Sequence, residues 1–90
     1  MTFSLVARCP DTGMFGVAIS SSSPAVAARC SHARAGVGAV ASQNVTDPSL
    51  GPMALDPMAG GLSAPEAVAE VKRRGRFIDY RQVLVVHRNG

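Results

Sequence analysis

A chain of 90 residues that is 47% hydrophobic and 17% charged carries more apolar surface than a domain of that size covers by itself, so it reads as part of a larger core. Its formal charge of +3 is not a nucleic-acid signature, because Lys72, Arg73, Arg74 and Arg76 fall together at the end of an expected helix, where cations complement the macrodipole. None of Phe3, Phe15, Phe77 and Tyr80 is interleaved with that cluster as a base-stacking platform requires, which argues against a nucleic-acid partner.

In chain order, Phe3 to Cys9 is mostly apolar and rich in β-formers. Pro10-Asp11-Thr12-Gly13 suits a tight turn, and Met14 to Ser21 is a second strand. The pair predicts a β-hairpin, and apolar residues on both of its faces predict a sheet covered on both sides. Ser23-Pro24 has the pattern of an N-cap with proline at the first helical position, opening a short helix over Ala25 to Cys30. A polar stretch, Ser31-His32-Ala33-Arg34, leads to a third strand over Gly36 to Gln43, built from small residues and valines. Asn44 to Pro48 is a polar loop.

Leu50 to Gly60 is helical in pattern, with Pro57 expected to break or kink it. Ser63-Ala64-Pro65-Glu66 is a capping box for a helix that runs to about Arg74 and stops at Gly75. Tyr80 to His87 is a final strand, and Asn89-Gly90 behind it is the strongest short signal for a type I′ hairpin turn. The order predicts a layered α/β arrangement of the α+β kind with antiparallel pairs, not an alternating βαβ wind. A hairpin turn without its second strand predicts that residues 1–90 are the N-terminal part of a single domain. The expected complement is a second chain of the same precursor, beginning after Gly90.

The start Met1-Thr2-Phe3-Ser4 lacks a basic segment and an apolar run, and no apolar stretch approaches the roughly 20 residues of a membrane helix. A cytoplasmic protein with no membrane partner is expected. Cys9 and Cys30 lack a second pair and a Cys-x-x-Cys spacing, which predicts two thiols and no metal site. Gly36-Val37-Gly38-Ala39-Val40-Ala41 fits G-x-G-x-x-[GA], but a polar stretch precedes it and a loop follows. A dinucleotide fingerprint instead follows a strand and opens a helix, so no cofactor is expected.

Candidate chemistry sits in a few places. Thr2 becomes the N-terminus if Met1 is removed, and its own α-amine, with a pKa near 8, can then activate its hydroxyl; on spacing alone the simpler reading, a permissive second residue, is preferred. Ser20 to Ser23 either lines a pocket with hydroxyls or ends a strand and caps a helix. Ser42 to Pro48 concentrates amide, hydroxyl and carboxylate groups, including Gln43, Asn44 and Asp47, past a buried strand. Amides there can hold a substrate amide or an oxyanion; the competing reading is an Asx-type turn at Asp47-Pro48. His32 and His87 have no carboxylate at ligand spacing and read as structural.

Thr2-Phe3-Ser4-Leu5-Val6-Ala7-Arg8, Asp11-Thr12-Gly13 and Gly16-Val17-Ala18 resemble the opening of a bacterial family known as domain of unknown function 1028. Ala33 to Gln43 resembles its most distinctive segment, and Asp47-Pro48-Ser49-Leu50-Gly51-Pro52, Gly61-Leu62-Ser63-Ala64 and Arg81-Gln82-Val83 continue the likeness in order. Ser22 and Ser23 stand where the family usually carries a bulkier or basic pair. The resemblance implies an N-terminal-nucleophile (Ntn) hydrolase, with a four-layer αββα sandwich of which this chain supplies the N-terminal part. It implies hydrolysis of a C–N bond in a small amide, lactam, cyclic imide or cyclic amidine. The nucleophile is then either Thr2 or, the preferred placement, the residue exposed by self-cleavage after Gly90, where glycine tolerates the strained backbone of an acyl shift. Under both placements Gln43 and Asn44 are the expected oxyanion or substrate contacts, with Ser20, Ser21 and Asp47 lining the pocket. A higher oligomer of heterodimers is expected. The alternative is a non-catalytic binding or assembly subunit on a degenerate hydrolase fold.

Overall fold

The alternation of inward and outward residues in two seven-residue strands, β1 (Thr2–Arg8) and β2 (Phe15–Ser21), builds the hairpin expected from the sequence. The register runs antiparallel from Thr2 opposite Ser21 to Arg8 opposite Phe15. Its turn is closed by the Cys9 amide on the Met14 carbonyl at 2.8 Å and by Gly13 at φ 75°, a conformation L side chains rarely adopt. The computed structural model describes residues 2–22, 24, 26–43, 48–75 and 82–90. The expected cap at Ser23, the loop at 44–47 and the start of the last strand at Tyr80 and Arg81 lie outside the described residues.

A one-turn helix, α1 (Ala27–Cys30), leads directly into β3 (Ser31–Arg34), a strand where the sequence suggested only a polar stretch. The chain then turns through Gly36 at φ 72° into β4 (Gly38–Gln43). β3 pairs with β4 antiparallel, and β4 pairs on its other side with β5 (Gln82–His87). Polarity hid β3 because its partners come from far along the chain. The Arg34 guanidinium donates to the Asp56 carboxylate at 2.8 Å, and the His32 ring lies against Gly51.

Helix α2 (Leu50–Ala59) is continuous, with Pro57 inside it. The break expected at Pro57 does not occur because the proline sits in the last turn, so the one amide it lacks is lost where the helix is already ending. Gly60 closes that end by donating to the Asp56 carbonyl at 3.1 Å. Helix α3 (Ala64–Arg74) opens with the expected capping box: the Glu66 amide donates to Ser63 Oγ at 3.3 Å, and the Ser63 amide donates to Glu66 Oε1 at 3.1 Å. These hydrogen bonds hold the Glu66 carboxyl below its ordinary pKa, so the box is complete above that range and weakens as pH falls through it.

The two sheets face each other, and α2 and α3 cover the far side of the three-stranded one. Gly38, Val40 and Ser42 point toward the helices, where Val40 joins a core of Leu50, Ala54, Leu55, Met58, Ala67 and Val71. Ala39 and Ala41 point toward the hairpin, and both are fully buried. The hairpin is covered on one face only. Thr2, Ser4, Val6 and Arg8 turn inward, while Phe3 and Leu5 on the outer face are 65% and 61% exposed. The fold is therefore α+β, with two antiparallel sheets and two principal helices.

The final turn forms one residue earlier than Asn89-Gly90 suggests. Gly90 donates to the His87 carbonyl at 2.9 Å, so Arg88 and Asn89 are the central residues. Arg88 donates to the Val37 carbonyl at 3.1 Å and Asn89 to His87 Nδ1 at 3.3 Å, which together hold the turn in that register.

Three substitutions test this packing and the α3 cap. A Cβ at Gly38 would collide with the Val86 carbonyl oxygen and lie 2.9 Å from Met58 Cε, so Gly38→Ala should cost about 1–3 kcal/mol in urea unfolding. Gly16→Ala, with nothing within 4 Å of the added atom, should be close to neutral. Ser63→Ala removes the cap and should cost about 1 kcal/mol, read from the same transitions.

Candidate active site

Strand alternation brings four polar side chains to one end of the space between the sheets. Thr2 and Ser4 occupy successive inward positions of β1, and Ser21 lies directly across from Thr2 on β2. Thr2 Oγ1 and Ser21 Oγ share a hydrogen bond of 2.8 Å. From the facing sheet Gln43, the last residue of β4, donates its side-chain amide to Ser4 Oγ. Ala41, two residues back on the same face, has only a methyl group to offer, so the hairpin can approach and this contact can form.

Beside the Ser4–Gln43 pair lies a cavity of about 260 Å³, whose walls include Ala41, Gln82, Val83 and Leu84. It is partly open and bounded by the Gln43 side-chain amide, which carries both donors and an acceptor. A hydroxyl pair at the same end as a side-chain amide is an arrangement that can serve acyl transfer. In such an arrangement a hydroxyl can supply an attacking oxygen, a hydrogen-bonded partner can align it, and an amide can donate to an oxyanion.

Of the residues singled out from the sequence, Thr2, Ser21 and Gln43 converge at this end. Ser20 does not; it is exposed on the outer face of β2, beside Phe3, Leu5 and Ala18. Asn44 and Asp47 lie outside the described residues. Gly90 stands at the opposite end of the sheet, since β5 starts opposite Gln43 and ends opposite Gly38 before reaching the turn. Ser4 was missed, although its place two residues after Thr2 on a strand puts both on one face.

The histidines and cysteines, all among the described residues, stay apart from this cluster. His32 is occupied against Gly51 and His87 accepts from the Asn89 amide. Cys9 lies near the hairpin turn, where the Thr12 hydroxyl, and after it the backbone amides of Thr12 and Asp11, lower its thiol pKa. Cys30 is buried under β4. Among the described residues no three of His, Cys, Asp and Glu gather as they would around a metal ion, and no helix is long and apolar enough to cross a membrane.

No curated protein and no solved structure matches the chain. A family model does, over residues 2–90, from the first residue of β1 through the turn after β5. The match takes in Thr2, Ser4, Ser21 and Gln43 together with every strand and helix that positions them, and the chain belongs to the family of unknown function DUF1028.

Proposed function

We propose that the chain carries the nucleophile of an Ntn-type amidohydrolase, with Thr2 as the attacking residue once Met1 has been removed. The observation that carries this reading is the Thr2–Ser21 hydroxyl pair, set between the sheets and next to the Ser4–Gln43 contact. Removal of Met1 would give Thr2 a free α-amine whose pKa near 8 suits it to take the hydroxyl proton. Thr2 Oγ1 then attacks the carbonyl or amidine carbon of a small open-chain or cyclic C–N substrate. The negative charge that develops on the substrate heteroatom is met by the Gln43 amide. Collapse expels the amine, which takes the proton from the α-ammonium and leaves an ester on Thr2, or an imidate where the substrate is an amidine. Water, deprotonated by the same amine, hydrolyses that intermediate and restores the hydroxyl.

The competing placement, a nucleophile exposed by cleavage after Gly90, fits the geometry less well. The six residues of β5 set Gln43 and the turn before Gly90 about 20 Å apart, so Gln43 could not serve both. With Thr2 as nucleophile, activity needs no cut after Gly90. The finer architecture of this proposal is the αββα sandwich. The helical layer, the three-stranded sheet and the hairpin would be three of its layers, and the open face of Phe3 and Leu5 is where a fourth, helical layer would pack.

Mass spectrometry of the purified protein should find a terminus at Thr2, with no methionine. Against a panel of lactams, cyclic imides and cyclic amidines scored for ring opening, Thr2→Ala should lower turnover by at least about 1,000-fold, with Thr2→Ser retaining part of it. Gln43→Ala should reduce kcat on the order of 100-fold while leaving the circular dichroism unchanged. Full turnover in Thr2→Ala would transfer the nucleophile elsewhere. A panel without any turnover in the wild-type protein would favour a binding subunit.

A further inference from the structure

A second concavity lies at the far end of the sandwich, about 20 Å along β1 from Thr2, and it does not depend on the hydrolase reading. The turn joining β1 to β2 and the turn joining β3 to β4 border an open cleft of about 530 Å³ there. Arg8, Arg88, Met14, Phe15, Ala33 and Gly36 are among its walls. Its volume falls within the range of small-molecule sites.

The two arginines set the chemistry of this cleft. Arg8 is the last inward-facing residue of β1, and its Nε is buried without a hydrogen-bond partner. Such a donor normally has an acceptor. Arg88 is exposed, and its backbone is anchored by donation to the Val37 carbonyl at 3.1 Å. The ion pairs among the described residues engage Arg34 and Arg73, and no acidic residue is among those that line the cleft. Both arginines therefore border one space, and no acidic residue is among its walls.

The other walls decide between kinds of anion. Phe15, Met14 and Ala33 offer hydrocarbon, and Gly36, held at φ 72° with nothing within 4 Å of a Cβ position, leaves the cleft unobstructed. An inorganic anion would use the charges and leave the apolar walls unmatched. The geometry points to a binding site for a small organic carboxylate, its carboxylate held by Arg8 and Arg88 and its apolar body against Phe15 and Met14. Guanidinium forks match a carboxylate in shape as well as charge, and their weak hydration lowers the cost of bringing hydrocarbon beside them.

Sodium benzoate is the probe, titrated into the purified protein at fixed ionic strength and followed by amide NMR shifts, with benzamide as its uncharged match. Benzoate should move the amides of Gly13, Gly36 and Arg88 along saturable curves, and benzamide should not. Arg8→Gln and Arg88→Gln should each weaken benzoate about tenfold, the loss expected for one charge-assisted contact. Arg73→Gln, on α3, should leave it unchanged. Because Arg88 is exposed, its variant remains informative even if Arg8→Gln fails to fold. Shifts that never saturate, equal responses to benzoate and benzamide, or an Arg88→Gln protein that binds as well as wild type would each overturn the assignment.

Discussion

The structure depends on β4 being narrow enough to be covered from both sides. Its run Gly38-Ala39-Val40-Ala41-Ser42 is buried throughout, with helices on one face and the hairpin on the other. Only Val40 is large, and it points to the side where Leu50, Met58 and Val71 can surround it. On the hairpin side, two methyl groups set the spacing, so polar side chains from opposite sheets meet at the strand's end. Bulk added to this strand would separate the layers, and with them the parts of the candidate site.

That constraint also divides the molecule into two chemically different ends. At the end of Gln43 the described groups that meet are hydroxyls and an amide, arranged in pairs across and between strands. At the end of Arg8 and Arg88 they are cations lining a largely apolar cleft. Each β1 residue's position in the pleat decides which space it enters, and the length of the strand decides which end.

Features set by neighbours in the chain were the legible ones. The hairpin, the Ser63–Glu66 box and the stop at Gly75 follow from residues within a few positions of one another, and all three are present. The small-residue strand was also legible, because burial on both faces leaves a distinctive composition. Where the decisive partner is distant, the signal failed. β3 looked like a polar connection because Asp56 and Gly51, which occupy its Arg34 and His32, come from α2. The turn after β5 slipped from its expected register because the Val37 carbonyl captures the Arg88 amide. In the candidate site, Thr2, Ser21 and Gln43 could be selected by residue type, whereas Ser4 needed the facing sheet to reveal its role. Ser20 failed for the opposite reason, since neighbouring serines on a strand point to different sides.

Phe3 stands between Thr2 and Ser4 on β1, with its ring on the bare side of the hairpin and their hydroxyls on the enclosed side. A strand cannot rotate one of these residues without rotating the others. Any body that settles on the phenyl ring and on Leu5 consequently also restrains the Thr2 hydroxyl, through the backbone and without touching it. Assembly on the outer surface and alignment on the inner one are thus two readings of a single mechanical variable.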